Sequence, residues 1–266
     1  MSGLFRVFMA VETLAHREIT RFVRQRSRVV GALLQPLVFW LLLGPGLQSS
    51  FQPAGSSPDV AYTEYFFPGI LALALLFSAI FATISVVEDR KSGFLQGVLV
   101  APVPRWSIVT GQALGSTVLA GTQAGLILLL APVAGLDVSA RSAAASLAVL
   151  ALMGFALSGM GLLLAWRMDS TQGFHAIMNL LLLPMWLLSG AFFPAAGAPG
   201  WLSWVMALNP MTYGLSALRR SLYLGVPDMT ARFGHLPPMG LSLAVVALVG
   251  LASLTGASEL ARRAAP

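Results

Sequence analysis

The chain has 266 residues, of which 57% are hydrophobic and only 10% are charged, whereas a soluble domain carries about 25% charged residues. So little charge cannot cover a water-facing surface, which excludes an ordinary soluble protein and makes lipid the main solvent. The net charge of +6 does not indicate nucleic acid as a partner, because the basic residues lie at the ends of apolar segments, where they act as topology signals.

The first segment, residues 1–28, predicts an amphipathic helix in the membrane interface. On a helical wheel its apolar residues form one stripe and its arginines form the opposite stripe. Such a helix is expected to lie flat on an anionic inner leaflet. The apolar stripe comprises Leu4, Phe8, Val11, Ala15, Ile19 and Phe22, and the basic stripe comprises Arg6, Arg17, Arg21, Arg24 and Arg28.

Residues 29–258 contain six apolar segments of about the 20 residues that a helix needs to cross a bilayer. They predict an all-α, polytopic membrane protein. When the N-terminus is placed in the cytoplasm, most basic residues fall on the inner side, so both termini are predicted to be cytoplasmic, with residues 259–266 as a tail. The predicted spans are Val29–Leu47, Tyr65–Val87, Ile108–Ala134, Ala143–Trp166, Phe174–Phe193 and Met239–Ala257.

The stretch Trp201–Leu224 is also apolar, but Asn209-Pro210 interrupts it. Proline removes a helical hydrogen bond and clashes with the preceding turn. The interpretation is therefore that about residues 195–224 form short helices in the outer interface and not a seventh span.

The loop after the second span carries the most specific pattern. Charged residues at its start are followed by an apolar set, Phe94, Leu95, Val98 and Leu99, whose spacing predicts one face of a short helix. This face must be buried in lipid headgroups, in the chain's own bundle or in a groove of another protein.

Catalytic and metal-binding patterns are missing from the sequence. His16, His175 and His235 form no ligand pair, there is no cysteine, and Lys91 is the only lysine, so no phosphate-binding loop exists. The acidic residues map to span ends or loops, which gives no evident proton relay. The energy for any uphill transport is therefore expected from a partner. Two alternatives are an intramembrane enzyme acting on lipid and a passive channel or secondary carrier without an ATPase.

Several motifs together resemble the permeases of type-2 ABC exporters, which include antibiotic-resistance (daunorubicin-type) and nodulation-factor branches. The resemblance covers essentially the whole chain. Its motifs are Tyr62-x-x-Tyr65-Phe-Phe-Pro68-Gly69, Glu88-Asp89-Arg90 with Gly93, Pro102-Val-Pro-Arg-Trp106 with Gly111, and Asn209-Pro210-Met-Thr-Tyr213 with Arg219.

The resemblance implies a half-transporter in a bacterial plasma (inner) membrane that pairs with a second permease copy and two cytoplasmic ABC ATPases. Mg-ATP would belong to the ATPases, and this chain would hold no catalytic residue, cofactor or metal. The substrate would be an amphipathic drug, lipid or lipid-linked glycan. Its path could include the aromatic residues Phe66, Phe77, Phe81 and Trp186.

The resemblance also assigns roles to residues. A coupling helix within about residues 89–104 would seat in the ATPase, and the basic stripe of residues 1–28 would help to form that docking surface. The outer gate would be formed by Asn209, Pro210 and Tyr213. The residues expected to couple to the ATPase are Glu88, Asp89, Arg90, Gly93, Leu95, Val98, Leu99, Pro102 and Arg105.

Overall fold

The computed structural model describes residues 3–48, 61–194, 198–226, 233–234 and 236–263, and within them the chain forms helices and no strands. This confirms the all-α prediction. The predicted outer loop before Ala61, His235 and the last three residues lie outside the described residues. The helices are α1 Gly3–Arg24, α2 Arg26–Gln48, α3 Tyr62–Lys91, α4 Phe94–Val100, α5 Arg105–Leu128, α6 Ala140–Ala165, α7 Thr171–Trp186, α8 Gly200–Leu208, α9 Pro210–Leu222 and α10 Met239–Arg263.

Helix α3 is the centre of the bundle. It packs against α2, α5, α6, α7 and α9, and nearly every residue from Tyr62 to Val87 is buried. Burial on all sides explains why this segment is apolar all round and has no amphipathic pattern. The other long helices therefore position their functional side chains relative to α3.

Five described helices are long and apolar enough to cross a membrane: α2, α3, α6, α7 with its continuation to Ala191, and α10. The third predicted span, α5, is more polar, because it carries buried side chains such as Gln112, Ser116 and Gln123. Ser78 of α3 donates a hydrogen bond to Gln123, so these polar groups face protein and not lipid.

The position of α5 still gives it the course of a crossing helix. Arg90 at the end of α3 contacts the backbone at the end of α6, so α3 and α6 finish at the same side of the bundle. Helix α5 must therefore return the chain to the opposite side, and its 24 residues extend about 36 Å. It ends at Leu128, earlier than predicted, and a 3₁₀ turn at Ala131–Ala134 follows because Pro132 cannot continue the hydrogen-bonded helix.

Helix α1 packs against the protein as well as having a face that is free to contact lipid. It lies against α5, where two glycines allow the backbones to approach closely. A Cβ atom at Gly111 would lie 2.9 Å from the carbonyl oxygen of Val11, and one at Gly115 would lie 2.8 Å from that of Ala15. Of the predicted apolar stripe, Leu4 and Phe8 remain exposed.

Helix α7 ends in a π-helical turn, Leu187–Ala191, in which Gly190 has a φ of 86°. Helices α8 and α9 follow and meet at Asn209, with Pro210 as the first residue of α9. They have nine and 13 residues, so each is too short to cross a bilayer alone. Helix α10 then continues to Arg263, five residues into the segment predicted as a tail.

Candidate functional site

The end of α3 carries two carboxylates that hold three helices together. Asp89 is buried and accepts hydrogen bonds from Nη1 and Nη2 of Arg17 at 2.7 and 2.8 Å, and from Nη1 of Arg21 at 2.6 Å. Glu88 accepts from Nη2 of Arg21 at 2.6 Å and also from Arg28. We call Glu88, Asp89, Arg17, Arg21 and Arg28 the charged joint, because it ties α1 and α2 to α3.

This geometry gives the basic stripe protein partners that the helical wheel does not show. Arg17, Arg21 and Arg28 bind protein carboxylates, whereas Arg24 remains exposed. A two-oxygen carboxylate matches the planar guanidinium fork, which favours bidentate pairing. The hydrogen bond to Asp89 accordingly raises the pKa of Arg17 above its usual value.

Glu18 lies beneath the charged joint and was missed in the sequence. It is buried, and burial raises the pKa of its carboxyl group, an effect that a hydrogen bond to Ser85 and the charge of Arg17 oppose. The spacing in the sequence indicates this burial, because Glu18 is four residues from both Leu14 and Phe22, which lie on the same face of α1 and are also buried.

Arg90 connects α3 to α6. Its Nη2 donates to the carbonyl oxygen of Trp166 at 2.8 Å, and its Nη1 donates to that of Met168 and to Asp169, both at 3.0 Å. The last carbonyl groups of a helix have no partner within the helix. Arg90 therefore caps α6 and fixes its end relative to the charged joint.

Helix α4 begins directly after Gly93, whose φ of 75° allows the chain to turn sharply out of α3. Leu95 and Leu99 are buried in the bundle, and Val98 is half-buried. The bundle itself therefore takes up much of the predicted apolar face, including Leu95 and Leu99. We define the exposed face of α4 as Phe94, Gln96, Gly97 and Val100.

The exposed face of α4 is fixed to the charged joint. The guanidinium carbon of Arg17 lies 3.9 Å from the centroid of the Phe94 ring, a cation–π contact. Pro102 is exposed in the loop that follows. Arg105 is not part of this surface, because it lines a separate groove with the end of α10.

The predicted outer-gate residues form the connection between α8, α9 and α7. The Asn209 side chain accepts from the Met211 amide at 3.0 Å, which caps α9, and it donates to the carbonyl oxygen of Met185 at 2.6 Å. The hydroxyl of Tyr213 donates to the carbonyl oxygen of Ala207 at 2.8 Å. The break at Pro210 is thus fixed by side chains on both sides.

A cationic side chain of the Asn209 motif is buried next to this connection, which was not predicted. Arg219 is 2% exposed, its Nη2 donates to the carbonyl oxygen of Gly190 at 2.9 Å, and its guanidinium carbon lies 4.3 Å from the centroid of the Tyr65 ring. Nearby, the hydroxyl of Tyr223 donates to Glu64 at 2.9 Å. Arg219 lies on the apolar face of α9 with Leu215 and Leu222, and that spacing would have indicated its burial.

The aromatic residues suggested for a substrate path fall into two groups. Phe66 and Trp186 are completely packed in the interior, and the indole of Trp186 donates to the carbonyl oxygen of Gly69 at 2.7 Å. Phe77 and Phe81 stack with their centroids 6.3 Å apart. Within one copy, Phe66 and Trp186 are therefore core residues and do not line an open path.

Among the described residues, no three His, Cys, Asp or Glu side chains are placed to hold a metal ion. The most distinctive arrangement among these residues is instead a short helix, α4, that follows the charged joint of α1, α2 and α3.

Comparison with known proteins agrees with this geometry. The model of the ABC-2 type transporter family matches residues 9–223. A putative transport permease, ycf38, from Cyanophora paradoxa is 29% identical over 77% of this chain and 71% of its own. Nodulation protein J from Rhizobium leguminosarum bv. viciae is 27% identical, with 76% of each chain covered.

The probable multidrug ABC transporter permease YbhR from Escherichia coli K12 is 26% identical over 74% of this chain, which spans 53% of that relative's length. The family match includes the charged joint, α4 and the connection at Asn209. The chain therefore belongs to the ABC-2 type transporter family and is a multi-pass membrane subunit of an ABC transporter.

Proposed function

We propose that the chain is the permease half of an ATP-driven exporter, and that a separate cytoplasmic ABC ATPase docks on the exposed face of α4 and the adjoining part of α1. The observation that carries this proposal is the charged joint. Its hydrogen bonds to buried or half-buried carboxylates tie α1 and α2 to the end of α3, directly before α4, and the contact of Arg17 with the Phe94 ring ties it to α4 itself. A force applied at α4 would therefore move several membrane helices together.

The exposed face of α4 has the properties of a docking surface. Val100 is 77% exposed and Phe94 is 44% exposed, while Leu95 and Leu99 anchor the helix from below. The space beside Gly97 is open, because an added Cβ atom there would have no neighbour within 4 Å among the described residues. A rigid helix that presents an apolar side chain is the form in which helices insert into protein grooves.

The finer parts of the proposal follow from the family. Two copies of this chain would pair, two ATPases would bind and hydrolyse Mg-ATP, and this chain would hold no cofactor. Both termini would be cytoplasmic in a bacterial inner membrane. The substrate would be an amphipathic drug, lipid or lipid-linked glycan that is exported, and the name of one relative concerns multidrug transport.

The test compares two substitutions of equal chemistry at opposite ends of the bundle. Val100→Asp places a negative charge on the exposed face of α4. Val133→Asp places the same charge in the 3₁₀ turn, and the two valines are similarly exposed, Val100 at 77% and Val133 at 74%. Tagged permease is purified from its own cells, and an ATPase subunit is identified by mass spectrometry together with its Mg-ATP hydrolysis.

We expect Val100→Asp to reduce the recovered ATPase and its activity by about tenfold or more, because a buried unpaired charge is costly at an interface. Val133→Asp should leave both unchanged. Equal recovery with the two variants would reject α4 as the docking element. Transport by purified permease without any ATPase would instead support a passive channel or a secondary carrier.

A further inference from the structure

An open groove of roughly 730 Å³ lies between the first turn of α5 and the last turns of α10. Trp106 and Arg105 line it on the α5 side, and Phe155 of α6 forms part of its wall. We call it the interfacial groove. The mechanical role proposed for α4 does not use it, and none of its lining belongs to the charged joint.

Polarity changes in order along the α10 side of the groove. Going toward the C-terminus, the lining residues are first apolar, Leu251 and Leu254, then carry hydroxyl groups, Thr255 and Ser258, and then are charged, ending with Arg262. The distance along the helix from Leu251 to Arg262 is about 17 Å. The order from an apolar region through an intermediate region to a charged end matches a phospholipid in one leaflet, from its acyl chain to its headgroup. The length of this gradient is also close to the thickness of one leaflet's hydrocarbon layer.

The intermediate region supplies polarity without free donors. The hydroxyl of Thr255 donates to the carbonyl oxygen of Ala252 at 2.9 Å, and that of Ser258 donates to the carbonyl oxygen of Leu254 at 2.7 Å. Their oxygen atoms remain able to accept hydrogen bonds. The middle of the groove is therefore polar but offers no hydroxyl hydrogen to a ligand, so strong contacts are left to its charged end.

The charged end of the groove holds a guanidinium group with one unpartnered nitrogen. Nη1 of Arg105 is shielded from solvent, yet no acceptor among the described residues lies within hydrogen-bonding distance of it. A buried guanidinium N–H without an acceptor is costly. Arg262 also lines this groove, and because its side chain is 71% exposed, its pairing with Glu259 leaves further donors that can reach a ligand.

The one acidic residue in the groove does not neutralise this end. Glu259 is held by Arg262 and by Arg263, each at 3.2 Å. The groove lining thus holds two arginines, Arg105 and Arg262, against one carboxylate, and its local charge remains positive. Phosphate, like carboxylate, matches the planar donors of arginine.

The groove also opens toward the bilayer. Leu241, Leu248 and Leu251 of α10 are exposed, and in a membrane protein an exposed leucine on a crossing helix faces lipid or another copy. Trp106 is about half exposed at the start of α5, the position where tryptophan marks the membrane–water interface.

We propose that the interfacial groove is a binding site for one anionic glycerophospholipid, whose phosphate is held by Arg105 and Arg262 while an acyl chain lies along Phe155 and Leu251. This role also gives Arg105 a function separate from ATPase docking. The bound lipid would join the start of α5 to the end of α10 on the side where α4 leaves the bundle.

The test is lipid binding to the purified permease alone, so that it does not depend on the proposed ATPase. Delipidated protein in detergent is titrated with dioleoyl phosphatidylglycerol or dioleoyl phosphatidylcholine, and bound lipid is counted by native mass spectrometry. The variants are the double substitution Arg105→Gln and Arg262→Gln, the single substitution Arg262→Gln, and Arg263→Gln as the matched control, because Arg263 lies beside Arg262 but outside the groove lining.

We expect wild-type protein to prefer phosphatidylglycerol. The double variant should bind it at least about tenfold more weakly and lose the preference, because two charge-assisted contacts to phosphate are removed. Arg262→Gln alone, at an exposed position that folding does not depend on, should lose several-fold, and Arg263→Gln should stay within about twofold of wild type. A folded Arg262→Gln variant that binds as wild type does, or an equal loss with Arg263→Gln, would overturn the proposal.

Discussion

Asp89 is the residue whose loss should disturb the charged joint most. It accepts three charge-assisted hydrogen bonds, two from Arg17 and one from Arg21. In the variant Asp89→Asn only one oxygen remains as an acceptor, and the amide nitrogen faces a guanidinium donor. Both arginines then keep their charge and lose the Asp89 anion, which leaves only Glu88 beside Arg21 and Glu18, 3.2 Å from Arg17, to balance them.

The size of the effect follows from burial. Removing one partner of a fully buried ion pair costs about 3–5 kcal/mol, but the Arg17 and Arg21 side chains are 28% and 25% exposed, so water recovers part of this loss. We expect about 2 kcal/mol. At roughly 2–4 °C per kcal/mol for a chain of this size, the midpoint of thermal unfolding in detergent should fall by about 4–8 °C.

The assay is a double-mutant cycle with Arg17→Gln, followed by thermal unfolding of all four proteins. Because the two side chains contact each other directly, the double variant should be more stable than the sum of the single effects by about 1 kcal/mol or more. Asp169→Asn is the matched control, since Asp169 pairs with Arg90 but is 89% exposed. Its effect should be within about 1 kcal/mol. Additivity within about 0.5 kcal/mol for the Asp89 cycle would refute the assignment of the joint.

Two further predictions concern the packing of α1 against the bundle. Gly115→Ala should destabilise the protein by about 1–3 kcal/mol, because the added Cβ atom would meet α1 at 2.8 Å, whereas Gly121→Ala, with no neighbour within 4 Å, should not. Equal thermal midpoints for the two variants would contradict close packing of α1 on α5. Burial raises the pKa of Glu18 above its usual 4.5, so its stabilising contribution is complete below that pH and is lost as the pH rises through the folded-state value. Relative to Glu18→Gln, wild-type protein should therefore lose stability above about pH 4.5, and parallel pH profiles of the thermal midpoint would contradict this.

The sequence predicts the elements better than the contacts between them. Apolar length locates the crossing helices, and Asn209-Pro210 correctly marks the boundary between α8 and α9, because both signals are local. The end of α5 is misjudged because Leu128–Ala134 is apolar although Pro132 stops the α-helix. The apolar composition of a segment alone therefore does not determine where its helix ends.

The roles of side chains depend on tertiary contacts that a helical wheel does not contain. The wheel separates the basic stripe correctly, but it cannot show that Glu88 and Asp89 would meet Arg17 and Arg21. The apolar side of α4 had three possible environments, and only the folded bundle shows that Leu95 and Leu99 turn inward. The burial of Glu18 and Arg219 was accessible from their spacing to apolar neighbours.

The central claim is that a separate ATPase drives this permease through α4, and a site-specific cross-link tests it most directly. The chain contains no cysteine, so a single cysteine at Val100 or Val133 can carry a short photoreactive group without background. After illumination of intact cells and purification, the account predicts that Val100→Cys is joined to a protein identified by mass spectrometry as an ABC ATPase, and that Val133→Cys is not. An ATPase joined equally to both positions, or to Val133→Cys alone, would contradict it.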